Sequence, residues 1–97
     1  MALIGYVHGT VTDSASGAPI CCATVHARVS GGTIRKVATS DSHGYYCFQE
    51  PCNTVIDRMV CKKTGYANWV CGSVPFTVAC PNNNYGFTQI DIPMHEV

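Results

Sequence analysis

The sequence predicts an all-β domain, a seven-stranded antiparallel Greek-key sandwich of two sheets. Three observations carry this. No segment of helical length has apolar residues at the i, i+3, i+4, i+7 spacing of an amphipathic helix. Period-2 runs rich in Val, Ile, Thr and Tyr recur along the whole chain. Gly, Pro, Asn and Asp clusters separate those runs at the short intervals typical of sandwiches.

The elements follow in order. Tyr6 to Thr12 alternates, with Val7, Gly9 and Val11 on one face and His8, Thr10 and Thr12 on the other, and residues 13–19 then read as a turn-rich loop. Cys22 to Ser30 alternates again, with Ala23, Val25, Ala27 and Val29 inward and Thr24, His26 and Arg28 outward. Gly31 and Gly32 make a tight connection to a strand over Thr33 to Thr39. Asp41 and Gly44 stand at the first and fourth positions of a type I turn, and the strand Tyr45 to Gln49 behind it turns Tyr46 and Phe48 inward and Cys47 outward. Val55 to Lys62 and Trp69 to Val74 read as further strands, followed by the segment Pro75 to Cys80. Residues 81–84 form a polar loop, and Phe87 to Met94 is the last strand, with Phe87, Ile90 and Ile92 as its main apolar residues.

These residues carry a resemblance. Val7-His-Gly-Thr-Val-Thr-Asp13, Ser16-Gly-Ala-Pro-Ile20, Ala23-Thr-Val25, Thr39-Ser-Asp-Ser-His-Gly-Tyr-Tyr-Cys-Phe48 and Thr64-Gly-Tyr66 occur in the order found in the carboxypeptidase regulatory-like domain, which the chain resembles over about residues 6 to 66. The resemblance implies a transthyretin-like (prealbumin-like) seven-stranded sandwich serving as a structural or interaction module. It implies no chemistry, because the matched residues build turns and core. Gly9 leaves room for close backbone approach within a strand, and Asp41 to Gly44 closes a hairpin. The cysteines depart from the family pattern: Pro19-Ile-Cys-Cys-Ala-Thr-Val25 stands where family members have Pro-Ile-x-Gly-Ala-x-Val.

Composition narrows the function classes. Ninety-seven residues suit one domain, with residues 6–97 as the sandwich and residues 1–5 as an apolar leader. Six Lys+Arg balance six Asp+Glu, and only 12% of residues are charged, about half the usual share. Without a basic excess, nucleic acid is not an expected partner. No window reaches the ~18 apolar residues of a membrane span, and the start of the chain lacks the basic region of a secretory signal. Met1, Ala2, Leu3 and Ile4 carry no charge and little turn character, so this segment is expected to be buried by packing or by strand addition to a neighbouring copy.

Seven cysteines, Cys21, Cys22, Cys47, Cys52, Cys61, Cys71 and Cys80, are the largest deviation from average composition. Structural zinc sites bring ligands in close pairs such as Cys-x2-Cys, and that spacing does not occur here. A nucleophilic thiolate needs an activating helix terminus or basic cluster, and the six carboxylates are scattered over turns and termini rather than paired for acid–base work. No cofactor and no catalysis are expected. Disulfides are the expected use of the cysteines, within or between chains, with connectivity open. An odd number leaves at least one cysteine free or shared with another copy. Cys21 and Cys22 are expected to point opposite ways along a strand, one inward and one offered outside. His8, His26 and His43 are expected on the solvated surface. Tyr45, Tyr66, Trp69 and Tyr85 are candidate aromatic contacts for carbohydrate, against the simpler expectation of core or interface packing.

Together these features predict a non-enzymatic structural subunit that self-assembles into an extracellular fibre or appendage, on a cell or spore surface, cross-linked by intersubunit disulfides. The alternative is a soluble binding module for carbohydrate or a partner protein.

Overall fold

The computed structural model describes residues 4–70, 75–78 and 86–97. Nine strands lie among them: β1 (Ile4–Asp13), β2 (Thr24–Val29), β3 (Arg35–Thr39), β4 (Tyr45–Pro51), β5 (Val55–Lys62), β6 (Trp69–Val70), β7 (Phe76–Thr77), β8 (Gly86–Gln89) and β9 (Ile92–Met94). They form two sheets. The first runs β4-β1-β8, with β9 also on β1; the second runs β3-β2-β5-β6, with β7 also on β5.

The nine segments fill seven ladder positions. β6 and β7 pair with different stretches of β5, at Val60–Cys61 and at Val55–Ile56, and so share one position. β8 and β9 pair with β1 in one continuous register, from Gly5 opposite Gly86 to Val11 opposite Ile92, and share another. The expected seven-stranded two-sheet sandwich is therefore present. It departs from a purely antiparallel one, because β8 and β9 run parallel to β1 while β4 pairs with β1 antiparallel.

The alternation read from the sequence is what builds the core. In β1, Val7 and Val11 face inward with no exposed surface, while Tyr6, His8, Thr10 and Thr12 are half-exposed on the outer face. In β4, Tyr46, Phe48 and Glu50 are buried and Tyr45, Cys47 and Gln49 exposed. Val25 and Ala27 of β2, Ile56 and Met59 of β5, and Ile92 and Met94 of β9 complete the contact between the sheets. Fully burying a side chain of this size contributes about 1.5–3 kcal/mol relative to leaving it exposed.

The expected last strand is interrupted at Ile90 and Asp91. The backbone N–H of Ile90 still donates to the His8 carbonyl at 2.8 Å, but the N–H of Thr10 donates to the Asp91 carboxylate at 3.1 Å, so a side chain replaces a ladder carbonyl. Gly9 permits this arrangement. A Cβ on Gly9 would sit 1.9 Å from the Ile90 carbonyl oxygen, which also accepts a hydrogen bond from the buried Tyr46 hydroxyl.

The turn expected at Asp41–Gly44 forms, but the strands it joins, β3 and β4, lie in different sheets, so it carries the chain from one sheet to the other instead of closing the expected hairpin. The Gly44 N–H donates to the Asp41 carbonyl at 2.9 Å, and the Asp41 carboxylate accepts the N–H groups of His43 and Tyr45. Gly44 has φ +78°, and a Cβ there would lie 2.6 Å from the Val11 carbonyl. Only glycine suits both the left-handed backbone and that approach.

The leader boundary shifts. Ile4 and Gly5 belong to β1 and pair with Pro51 and Glu50 of the same chain, so Ile4 is not a free donor to a neighbour. Met1, Ala2 and Leu3 lie outside the described residues.

Candidate functional site

The described cysteines fall into three environments. Cys61 is fully buried in β5, and its thiol meets the Met94 Sδ at 3.7 Å. Burial pushes this thiol up to about 11, because a thiolate would lose its hydration there. Cys61 is therefore a core residue and not the intersubunit cross-linker that the sequence allowed. It behaves as a small apolar side chain.

Cys47 is the opposite case. It lies on β4, an edge strand of the first sheet, as a free, exposed thiol on the outer face opposite His8 of β1. Its exposure follows from the inward placement of Tyr46 and Phe48 on either side. Cys52 is half-buried in the turn between β4 and β5, next to Asn53, whose N–H donates to the Val78 carbonyl. Cys71 and Cys80 lie outside the described residues.

Cys21 and Cys22 correct the expectation of opposite orientations. They stand in a turn ahead of β2 rather than in the strand, both are exposed, and their sulfurs are 2.6 Å apart. Cys22 has φ +68°, which no strand residue has, and this reversal brings the two side chains together. The buried Ser40 fixes the turn from below. Its hydroxyl donates to the Ile20 carbonyl at 2.7 Å and accepts the Ala23 N–H at 2.9 Å, while its own carbonyl accepts the Cys22 N–H.

Among the described candidate aromatic contacts, Tyr45 lies apart from Tyr66 and Trp69. Tyr45 is 58% exposed on the outer face of the first sheet, and its ring stacks with His43 at a centroid distance of 6.0 Å. Tyr66 and Trp69 belong to the other sheet's side and pack half-buried against the core. Tyr85 lies outside the described residues. Tyr66 has a specific role that the sequence pattern left out. Its hydroxyl donates to the Asp13 carboxylate at 2.9 Å, tying the segment before β6 to the end of β1.

Asp13 is the hub of that corner. Its other carboxylate oxygen accepts the N–H groups of Ala15 and Ser16, at 2.8 and 3.0 Å. These backbone donors, together with the Tyr66 hydroxyl, hold the Asp13 carboxyl below its ordinary value, and the same bond raises Tyr66. Local side-chain bonds of this type at Asp are a turn signal. The Tyr66 partner is 53 residues away, and no spacing rule reaches it.

The charges are segregated. All six cations, Arg28, Arg35, Lys36, Arg58, Lys62 and Lys63, lie on β2, β3 and β5 of the second sheet or directly after β5. Of the six acids, only Asp57 is on that sheet. Among the described residues Arg28 pairs with Asp57 at 2.6 Å, and Arg35 of β3 reaches across to the buried Glu50 of β4 at 2.7 Å, joining the two sheets. His26 lies between Lys36 and Lys62; partial burial and these two ammonium groups lower it from its ordinary value.

Comparison with known structures now has a geometry to be judged against. The chain is similar to the solved structure of the Bacillus anthracis TIE protein, with a TM-score of 0.66 and 17% sequence identity over 98% of this chain and 18% of that one. At this identity the likeness is one of fold. The chain spans less than a fifth of that neighbour. No family model matches the sequence, and no curated protein does. The all-β two-sheet architecture is thus supported from outside the chain as well as by its own pairing. No helix among the described residues is long and apolar enough to cross a membrane.

Proposed function

We propose that the chain is a non-enzymatic structural subunit that packs against copies of itself into a fibre or appendage at a cell or spore surface, reinforced by intersubunit disulfides. The observation that carries this reading is Cys47, a free thiol exposed on the outer face of an edge strand. An exposed edge is a template for pairing with another chain, and an exposed cysteine beside it can make the contact covalent.

Two further features support it. Among the described residues β3 and β4 are edges of their respective sheets, with no strand paired to their outer sides. The charge segregation gives two unlike outer faces, one rich in Lys and Arg and one without them. Unlike faces favour heterologous contacts, which produce filaments when the rotation does not close.

The test is size-exclusion chromatography and electron microscopy of the full chain, with non-reducing electrophoresis after boiling in detergent. Ladders that collapse on adding reductant, and that are lost in Cys47→Ser, support the reading. A monomer at all concentrations, with Cys47 still alkylatable after oxidation, would overturn it.

The second reading, a binding module for carbohydrate or a partner protein, is favoured only by the exposed Tyr45 ring stacked with His43. Aromatic faces of this kind suit sugar rings. Glycan-array binding lost in Tyr45→Ala supports it; Trp69→Ala is a poor probe, because Trp69 packs against the core.

A further inference from the structure

We propose that Cys21 and Cys22 form a vicinal dithiol that reduces small anionic disulfides and closes into a disulfide between the two neighbouring residues. The inference does not rest on assembly, since ring closure takes place within one chain.

Three observations carry it. The two sulfurs stand 2.6 Å apart in an exposed turn, within easy reach of the roughly 2.05 Å of a disulfide bond. The turn is built to hold them there, since Cys22 adopts a left-handed backbone that side chains rarely take. The buried Ser40 clamps Ile20, Cys22 and Ala23 around it with one hydroxyl and one carbonyl. Third, Cys22 lines an open depression of about 390 Å³ together with Thr24, Lys62, Lys63, Thr64 and Asn68. Two ammonium groups and three neutral polar side chains suit a compact disulfide carrying carboxylates.

The division of labour follows from position. Cys22 faces the depression and is the attacking thiol, and Cys21 is the resolving one. The contact with Cys22 raises the Cys21 thiol above its ordinary value. In the first step the Cys22 thiol releases its proton to solvent and its thiolate attacks one sulfur of the external disulfide. The external S–S bond breaks, a mixed disulfide forms on Cys22, and the departing thiolate takes up a proton. In the second step Cys21 loses its proton and attacks the Cys22 sulfur, the bond to the second external sulfur breaks, and that thiolate is protonated in turn. The protein gives up two electrons and two protons, and one external disulfide becomes two thiols.

The experiment uses the full chain, fully reduced and dilute, with oxidised glutathione as the probe, followed by acid quench, alkylation and peptide mapping. Cys47, an isolated exposed thiol, serves as the internal reference and takes up one glutathione. The peptide holding Cys21 and Cys22 is expected to escape alkylation and to lose the mass of two hydrogens. In Cys21→Ser the resolving thiol is gone, and a stable glutathione adduct accumulates on Cys22. A doubly alkylated Cys21–Cys22 peptide under conditions that modify Cys47 would overturn the proposal. So would a bridge from Cys22 to another cysteine, or the absence of an adduct in Cys21→Ser. A chain that closes the ring yet stays monomeric sinks the assembly reading and leaves this one standing.

Discussion

Gly9 and Asp13 show how much of this sandwich depends on single side chains, or on the lack of one. The carbonyl of Ile90 occupies the space where any Cβ at Gly9 would stand, at 1.9 Å, and the atom in the way is backbone. Gly9→Ala must push the last strand away from β1, and it is expected to cost about 3 kcal/mol or to abolish folding. Urea unfolding monitored by near-ultraviolet circular dichroism measures this. Asp13 predicts a pH dependence whose sign is fixed by its neighbours. Its folded carboxyl is lowered by the Ser16, Tyr66 and Ala15 donors, so the stabilisation is present above the unfolded value near ~3.9 and is lost as pH falls through the folded one. Tyr66 is raised, so its contribution is present below about pH 10 and disappears as pH climbs through its folded value. Urea midpoints are expected to fall at both extremes, and Tyr66→Phe is expected to flatten the alkaline fall. An unchanged alkaline slope in Tyr66→Phe would contradict the assignment. The close approach at Gly9 was legible in the sequence, but of the Asp13–Tyr66 bond only the turn propensity of Asp13 was, because Tyr66 lies 53 residues away and reads as one more aromatic.

At the scale of the elements, the strands were legible because each buries one face, and a period of two survives any choice of partner. Val55 to Lys62 comes out with the expected bounds, and the outward side of Tyr45 to Gln49 is the exposed one. What alternation cannot carry is which strand lies beside which, or where a ladder is broken. Phe87 to Met94 reads as one strand, yet Asp91 replaces a backbone acceptor midway and divides it. Asp91→Ala removes the acceptor of the Thr10 N–H and is expected to cost about 1 kcal/mol, with faster amide hydrogen exchange at Thr10 than at Val7 or Val11. The Cys21–Cys22 turn escaped for a similar reason. Ala23, Val25 and Ala27 alternate inward, and extending that pattern backward placed Cys22 on a strand that starts only at Thr24. Cys61 was indistinguishable from the other cysteines until its strand was set facing Met94. The Arg35–Glu50 pair joins the edges of both sheets and leaves a buried carboxylate alone if broken. Arg35→Ala is therefore expected to destabilise by about 1–3 kcal/mol, whereas Arg28→Ala at the more exposed pair is expected to cost under about 1 kcal/mol. Thermal or urea unfolding of the two variants side by side decides it.

For the whole molecule, the neutrality of the sequence conceals an uneven distribution. Six cations balance six acids, but the cations are all on one sheet and the strip after it. If copies stack through unlike faces, Lys36→Glu combined with Lys62→Glu is expected to weaken association and to remove its dependence on salt, measured by light scattering between low and physiological ionic strength. Association that persists with the same salt dependence would show that the second sheet is not the contact. The parallel return of the last strand has a consequence of a different kind. Because β8 and β9 run alongside β1 in the same direction, the chain enters beside Pro51 and leaves beyond Asp13, at opposite ends of a ten-residue strand about 30 Å long. Ile4 and Met94 stand at opposite ends of that shared ladder, so a pull between them shears β1 against β8 and β9 instead of unzipping them one pair at a time.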